Sequence, residues 1–148
     1  MSESPVTVRL TQRRDYQFDN QFGAQVPPWL VDEPAPLGRG DGPSPVQLLA
    51  ASVGNCLAAS LLFAMRKYKQ VSEPIECVVD VQVGRNADKR LRVSAIKARL
   101  TIGVPAAGIE HLERILSTFE DFCTVTASVR QAFPVTVEVF DARGSQLK

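Results

Sequence analysis

The chain has 148 residues, of which 45% are hydrophobic and 22% charged, and its formal net charge is +1. These values are typical of a single globular domain over residues 1–148. A net charge near zero without a basic tract argues against nucleic acid or an anionic membrane as a partner. Three cysteines, an odd number, and no signal-peptide pattern at Met1–Pro5 predict a reducing, cytoplasmic location rather than a secreted disulfide framework.

The first third of the chain predicts short strands followed by a loop. Val6–Leu10 alternates apolar and polar residues, as expected of a half-buried strand, and Asp15–Phe22 alternates as its hairpin partner. Trp29–Val31 is predicted to be a third short strand. Pro34–Ser44 contains three prolines and three glycines, which indicates a loop.

The most strongly marked element is a helix over Pro45–Lys67. Ser44 and Gln47 have the Ser-x-x-Gln spacing of a capping box, and proline is favoured at the first helical position. Apolar residues at helical spacing extend around much of the circumference. The helix is therefore predicted to be buried on most sides of a soluble domain, not to cross a membrane.

The second half of the chain predicts strands around two more helices. Leu91–Ile102 is a long strand whose apolar residues change parity, which indicates a bulge near Ala95–Ile96. The other predicted elements are a strand at Ile75–Val83, a turn at Asn86–Lys89, an amphipathic helix at Ala106–Phe119, a short helix at Cys123–Ala132, and a strand with Val135, Val137 and Val139. The order of these elements is that of an α+β fold.

Cys56 and Cys123 are the residues with the clearest potential for chemistry. They are 67 residues apart, so they meet only through the fold. Two thiols that meet can run a redox cycle, in which one is oxidised and the other closes a disulfide; the alternative is two buried, inert cysteines. Cys123 is predicted in the first turn of a helix, where the dipole favours a thiolate, whereas Cys56 lies mid-helix and needs a cationic partner.

Several other residues are candidates with more ordinary alternatives. Arg13 and Arg14, in the first hairpin, can supply the cation for Cys56, although surface arginines are usually solvated; Arg39 is a weaker candidate. Cys77 lies on the apolar face of its strand and is predicted only to pack. His111 is the single histidine, so no His-rich metal site is expected.

These residues occur in segments that resemble a known family. Residues 42–56 (GPSPVQLLAASVGNC) resemble the start of the central helix of the OsmC/Ohr family of osmotically inducible and organic hydroperoxide resistance proteins. Residues 122–129 (FCTVTASV) resemble the segment with the family's second cysteine, and Pro134–Phe140 fits its last strand. The resemblance implies an α+β fold, with antiparallel sheets packed around a long buried central helix, in an intertwined homodimer with its active sites at the subunit interface.

The resemblance also implies an activity and roles for individual residues. It implies thiol-dependent reduction of hydrophobic organic hydroperoxides, with Cys56 as the peroxidatic thiol and Cys123 as the resolving thiol that forms the disulfide. Arg14 best matches the arginine of the family's hairpin, which activates the peroxidatic thiol. A dithiol reductant, of the lipoyl type in the hydroperoxide-resistance branch, would then restore the thiols, and no metal or other cofactor is expected.

One position departs from the enzymatic branches of the family. They carry a glutamate just after the proline that begins the central helix, and it holds the catalytic arginine; this chain has Val46 there. The chain therefore resembles the OsmC-like branch more closely, and Arg14 is expected to be mobile. The alternatives are a non-enzymatic or redox-sensing OsmC-like dimer that binds a small apolar ligand at its interface, and a dimeric α+β domain with inert cysteines.

Overall fold

The computed structural model describes residues 3–148, so the expectation about Met1–Pro5 falls partly outside the described residues. The chain forms two compact units, the first reaching Leu49 and the second spanning Ala50–Lys148. The strands are β1 Arg9–Arg14, β2 Gln17–Gln21, β3 Trp29–Val31, β4 Ile75–Arg85, β5 Leu91–Ile102 and β6 Val135–Phe140. The helices are α1 Pro45–Lys67, α2 Leu112–Thr118 and α3 Thr124–Val129, with a short 3₁₀ helix at Phe119–Phe122.

The first unit contains an antiparallel sheet in the order β1-β2-β3. The predicted third strand is confirmed, and residues 32–44 form the predicted loop without helix or strand. The prediction of a half-buried strand at Val6–Leu10 is wrong, because β1 begins at Arg9 and every residue in it is exposed. As an edge strand, β1 hydrogen-bonds only to β2 within this sheet.

Helix α1 has the predicted bounds and the predicted cap. The Gln47 backbone N–H donates to Ser44 Oγ at 3.3 Å, and the Ser44 N–H donates to Gln47 Oε1 at 2.8 Å. Such reciprocal bonds satisfy amide groups that the first helical turn leaves without partners. The helix is long and apolar enough to span a membrane by length and composition, but that test also admits core helices of soluble proteins.

Only one side of α1 is buried within the described chain. The fully or nearly buried residues are Val53, Gly54, Leu57, Ser60, Leu61, Ala64 and Met65. On another side, Phe63 is 55% exposed. The helix is therefore less enclosed than its composition predicts, since an apolar sequence does not by itself provide the surface that covers it.

The second unit contains a mixed sheet in the order β4-β5-β6. β4 and β5 are antiparallel, as expected, whereas β6 runs parallel to β5. Gln82 pairs with Ala95 while Val83 pairs with Val93, so Ser94 is an extra residue in β5. This is the predicted bulge, one residue before Ala95–Ile96, and it produces the change of parity because side chains alternate along a strand.

One face of this sheet packs against α1. Ile96, Ala98 and Leu100 on β5 are fully buried, and Val79 on β4 lies beside them in register with Ala98. Gly54 allows the close approach of the helix, because a Cβ there would lie 2.8 Å from Val79 Cγ2. The small residue thus fixes which side of α1 faces the strands.

The predicted helix Ala106–Phe119 is shorter in the structure. Helix α2 begins only at Leu112, and residues 106–111 form turns. Gly108 has φ of 90° and His111 has φ of 58°, both in the left-handed region. Right-handed helical hydrogen bonding does not continue through such residues, so the amphipathic pattern overstated the length of the helix.

Candidate functional site

Cys56 lies near the middle of α1 and is half-buried. Its position in a regular helix gives the thiol a fixed direction, because the backbone on both sides is held by helical hydrogen bonds. The mid-helix placement is the predicted one. The buried residues Val53, Leu57 and Ser60 surround it along the helix, so the thiol stands at the border between the core and the surface.

Cys123 is fully buried and lies just outside the first turn of α3. Its backbone has φ −90° and ψ 90°, and it occupies the N-cap position before Thr124. Its thiol lies 2.8 Å from Thr126 Oγ1, within hydrogen-bonding distance. The prediction of a first-turn position is therefore wrong by one residue, and the helix that follows has only six residues.

The fold brings the Cys56 and Cys123 thiols together. The two side chains are close enough for Cys56 to raise the pKa of Cys123, and both thiols are free in this structure. Burial, and after it the neighbouring Cys56, raises the pKa of Cys123, while the hydrogen bond with Thr126 partly opposes the rise. The backbone N–H of Thr126, in the first turn of α3, favours a Cys123 thiolate as expected, but burial and Cys56 outweigh it and the pKa is raised.

Two exposed aromatic side chains lie near the two cysteines in the sequence. Phe122 immediately precedes Cys123, and Phe63 lies two turns after Cys56 on the same helix. The rings meet edge to face with their centroids 5.2 Å apart, and both are about half exposed, at 55% and 48%. Lys67 Nζ lies 5.8 Å from the Phe122 ring centroid. The second unit therefore presents exposed apolar surface on α1, at Phe63, and just before Cys123, at Phe122.

Cys77 has a different environment from the other two thiols. It is half-buried on β4, and burial raises the pKa of its thiol. With Gly54, Asn55 and neighbouring side chains it lines an open cavity of about 420 Å³ between α1 and β4. Gly54 faces Cys77, and Cys56 lies two residues further on, about 200° around the helix. A packing role for Cys77 stays a prediction.

Arg14 ends β1 in the first unit, and one hydrogen bond links its side chain to β2. Its Nε donates to Gln17 Oε1 at 3.0 Å. Arg13 differs, because its Nε and Nη2 both donate to the carboxylate of Asp19, at 3.2 and 2.8 Å. Arg13 therefore fits the alternative of a solvated hairpin charge. Val46 is half-buried in the first turn of α1.

A buried carboxylate organises the loop that follows β3. Asp32 is 1% exposed, and it accepts the backbone N–H groups of Glu33, Arg39 and Asp41 at 2.8 to 3.2 Å. Burial raises the pKa of Asp32, but these bonds and one from Gln17 outweigh it and leave the pKa below its ordinary value. The hydrogen bond from its backbone N–H to Asp32 therefore ties Arg39 to this loop carboxylate.

The sequence did not identify Gln17 or Thr126 as important. Gln17 alternates with apolar neighbours and looks like the solvent side of a strand, yet it is 2% exposed while Tyr16 is 48% exposed. Thr126 is also fully buried. Its position three residues after Cys123 was a usable signal, since a hydroxyl at N3 lies near the N-cap side chain. Among residues 3–148, no three His, Cys, Asp or Glu residues are grouped as metal ligands.

Comparison with known proteins places this arrangement in a family. The family model described as OsmC-like protein matches residues 38–138, more than half of the chain. The chain belongs to the OsmC-like protein family. The matched segment contains Cys56 and Cys123 but not Arg14. A search of the curated proteins found no significant match.

Solved structures share the fold with this OsmC-like chain at low sequence identity. An OsmC-like protein from Mycoplasma pneumoniae is 13% identical with a TM-score of 0.79, over 95% of this chain and 99% of that one. An organic hydroperoxide resistance protein from Elizabethkingia anophelis is 18% identical with a TM-score of 0.72, over 93% and 98%. An organic hydroperoxide resistance protein OsmC from Legionella pneumophila is 16% identical with a TM-score of 0.72, over 94% and 98%. The OsmC/Ohr fold is therefore confirmed.

Proposed function

We propose that this OsmC-like protein is a thiol-dependent peroxidase that reduces hydrophobic organic hydroperoxides. The observation that carries the proposal is the contact between the Cys56 and Cys123 thiols, which lie 67 residues apart in sequence. Relatives in fold named organic hydroperoxide resistance proteins support the same substrate class. Cys56 is assigned as the peroxidatic thiol because it is the less buried of the two and a substrate must reach it.

The proposed cycle has three steps. The Cys56 thiolate attacks the terminal oxygen of the hydroperoxide, the O–O bond breaks, and Cys56 becomes a sulfenic acid as the alcohol leaves with a proton from solvent. Cys123 then attacks the Cys56 sulfur, an S–S bond forms, and hydroxide leaves with the Cys123 proton as water. A dithiol reductant finally exchanges with this disulfide, which restores both thiols and leaves the reductant as its own disulfide.

The raised pKa of Cys123 favours Cys56 as the attacking thiol in the first of these steps. A resolving thiol that stays protonated does not compete with Cys56 for the peroxide, because the thiolate is the nucleophile. Its proton is then available to the leaving hydroxide. Arg14 is proposed to supply the positive charge that favours the Cys56 thiolate, since a guanidinium remains charged at every physiological pH.

The proposal includes a homodimer. The exposed apolar side of α1, with Phe63 at 55% exposure, is surface that a second chain can bury. Sedimentation at micromolar concentration should therefore give close to twice the chain mass of 16.2 kDa. A stable folded monomer at that concentration contradicts this part of the proposal.

Single cysteine variants test the assignment of roles. Cys56→Ser should abolish the consumption of cumene hydroperoxide, whereas Cys123→Ser should consume about one equivalent and keep Cys56 as a trappable sulfenic acid. Cys77→Ser is the matched control and should retain turnover with a dithiol reductant. Full turnover by Cys56→Ser refutes the assignment. Slow oxidation of the wild-type thiols without catalytic turnover favours the redox-sensing alternative.

A further inference from the structure

We propose that Gln17 is a positioning residue that holds the Arg14 guanidinium in one orientation, through an amide whose own direction is fixed by Asp41 and Asp32. The proposal rests on the proposed function as far as the task of Arg14 is concerned. The hydrogen-bond chain itself lies within the first unit and is independent of the reaction.

The bond network around Gln17 joins two buried residues, Gln17 and Asp32, to two exposed ones, Asp41 and Arg14. Gln17 is 2% exposed, and its Nε2 donates to Asp41 Oδ2 at 2.7 Å and to Asp32 Oδ2 at 3.3 Å. Its Oε1 accepts the Nε–H of Arg14 at 3.0 Å. The single amide therefore joins one exposed cation to two carboxylates, and each of its polar atoms has a partner.

The chemistry of the partners allows only one direction of the Gln17 amide. An ionised carboxylate has no hydrogen to donate, so only the NH₂ end of the amide can face Asp41 and Asp32. The carbonyl end then points at Arg14, and a guanidinium, which has five donors and no acceptor, can bind nothing else there. A flipped amide would place an oxygen against two carboxylates and two donors against a cation. The two carboxylates, of which Asp32 is buried and Asp41 exposed, thus set the orientation of the surface arginine.

The bond to Gln17 leaves the reactive end of Arg14 available. It uses Nε alone, and within residues 3–148 no other hydrogen bond or ion pair involves the Arg14 side chain. Both terminal nitrogens can therefore donate to an anion, such as a thiolate or a peroxide oxygen. In Arg13, on the same strand, Nε and Nη2 instead donate to the carboxylate of Asp19. This difference in bonding separates the two arginines, which the sequence alone left as joint candidates.

The first experiment measures the Arg14 side chain directly. In Gln17→Met the side-chain volume is retained but the amide is lost, so the Arg14 Nε–H resonance should exchange with water at least tenfold faster in NMR spectra. Gln21→Met is the matched control, because it removes a β2 glutamine that hydrogen-bonds the Gly23 and Val26 carbonyls, not Arg14. An unchanged Arg14 resonance in folded Gln17→Met overturns the proposal. If that variant does not fold, Asp41→Asn, at an exposed position, should give a smaller change in the same direction.

The second experiment asks whether Gln17 acts through Arg14. Gln17→Met should slow the reaction of Cys56 with cumene hydroperoxide about tenfold, as expected for a lost hydrogen bond to a charged group. In an Arg14→Ala background the same substitution should have no further effect, whereas a merely structural role would slow both backgrounds equally. Equal effects overturn the proposal, as does an unchanged rate in an active protein. If the wild type does not react, the proposed function fails, and the Arg14 resonance alone decides whether Gln17 positions the guanidinium.

Discussion

Asp32 and Cys123 are both almost completely buried, at 1% and 0% exposure, yet their acidities shift in opposite directions. Burial tends to raise the pKa of each group, because it disfavours the charged form. Around Asp32, three backbone N–H groups and the Gln17 amide outweigh burial, and the pKa falls. Around Cys123, the neighbouring Cys56 adds to burial, Thr126 opposes them only partly, and the pKa rises.

The difference lies in the number of hydrogen-bond donors that each fold element aims at the buried group. The loop after β3 folds around the Asp32 carboxylate and directs backbone amides at it. The thiol of Cys123, the residue before α3, has no comparable set of donors, since only the hydroxyl and the backbone N–H of Thr126 lower its pKa. One unit thus keeps a buried group charged, whereas the other keeps a buried group neutral.

The largest expected effect comes from removing the Asp32 carboxylate. Asp32→Ala leaves three backbone N–H groups and one amide without their acceptor in a buried place, and it should lower Tm by roughly 10 °C. Asp32→Asn should lose less, because one oxygen remains. The stabilising contribution of this group is present above its ordinary pKa of 3.8 and is lost as the pH falls below it, since the folded-state pKa is lowered.

Thermal unfolding followed by circular dichroism measures the Asp32 effect. Asp19→Asn is the matched control, because its carboxylate forms an ion pair with Arg13, whose side chain is 53% exposed, and exposed pairs contribute little. If Asp32→Ala and Asp19→Asn lower Tm equally, the donors around Asp32 do not stabilise the loop, and the comparison with Cys123 fails.

An intermediate effect is expected from the two neighbours of Cys123. Cys56→Ala should lower the pKa of Cys123, because it removes a group that raises it, and Thr126→Val should raise the pKa further, because it removes one that lowers it. The Cβ chemical shift of Cys123 followed against pH measures both. A shift in the same direction for both variants contradicts the assigned causes.

The raised pKa of Cys123 also predicts that the protein loses stability in alkaline solution. The folded state holds this proton more tightly than the unfolded state, so the contribution is complete below the ordinary pKa of 9.0 and is lost as the pH rises past it. Cys123→Ser should remove this part of the alkaline loss in a series of denaturant titrations. An unchanged pH dependence would mean that burial of the thiol is not coupled to folding.

The smallest effect is expected at Cys77, the thiol without a thiol partner. Cys77→Ala should leave peroxide turnover unchanged and lower the free energy of unfolding by about 1 kcal/mol, as expected for a small cavity. Mass spectrometry of the oxidised wild-type protein should find Cys56 joined to Cys123. A Cys56–Cys77 disulfide would contradict the separation of the two residues around α1.

Much of the fold was predictable where local chemistry decides the structure. The bounds of α1 followed from its capping box, and the bulge in β5 followed from a change of parity that no regular strand allows. The extent of α2 was not predictable, because two residues adopt left-handed conformations that the amphipathic pattern does not reveal. The parallel pairing of β6 with β5 likewise depends on how distant segments assemble.

The sequence by itself determined the secondary structure of α1, the α+β class and the identity of the two candidate thiols, because spacing and caps act over a few residues. Only the tertiary structure decided that Cys56 and Cys123 meet, that the pKa of Cys123 is raised, and that Gln17 rather than Tyr16 is buried. Those properties depend on burial and on donors contributed by residues far apart in sequence. No local pattern encodes them, since the same cysteine is acidic or neutral according to the groups that the fold places around it.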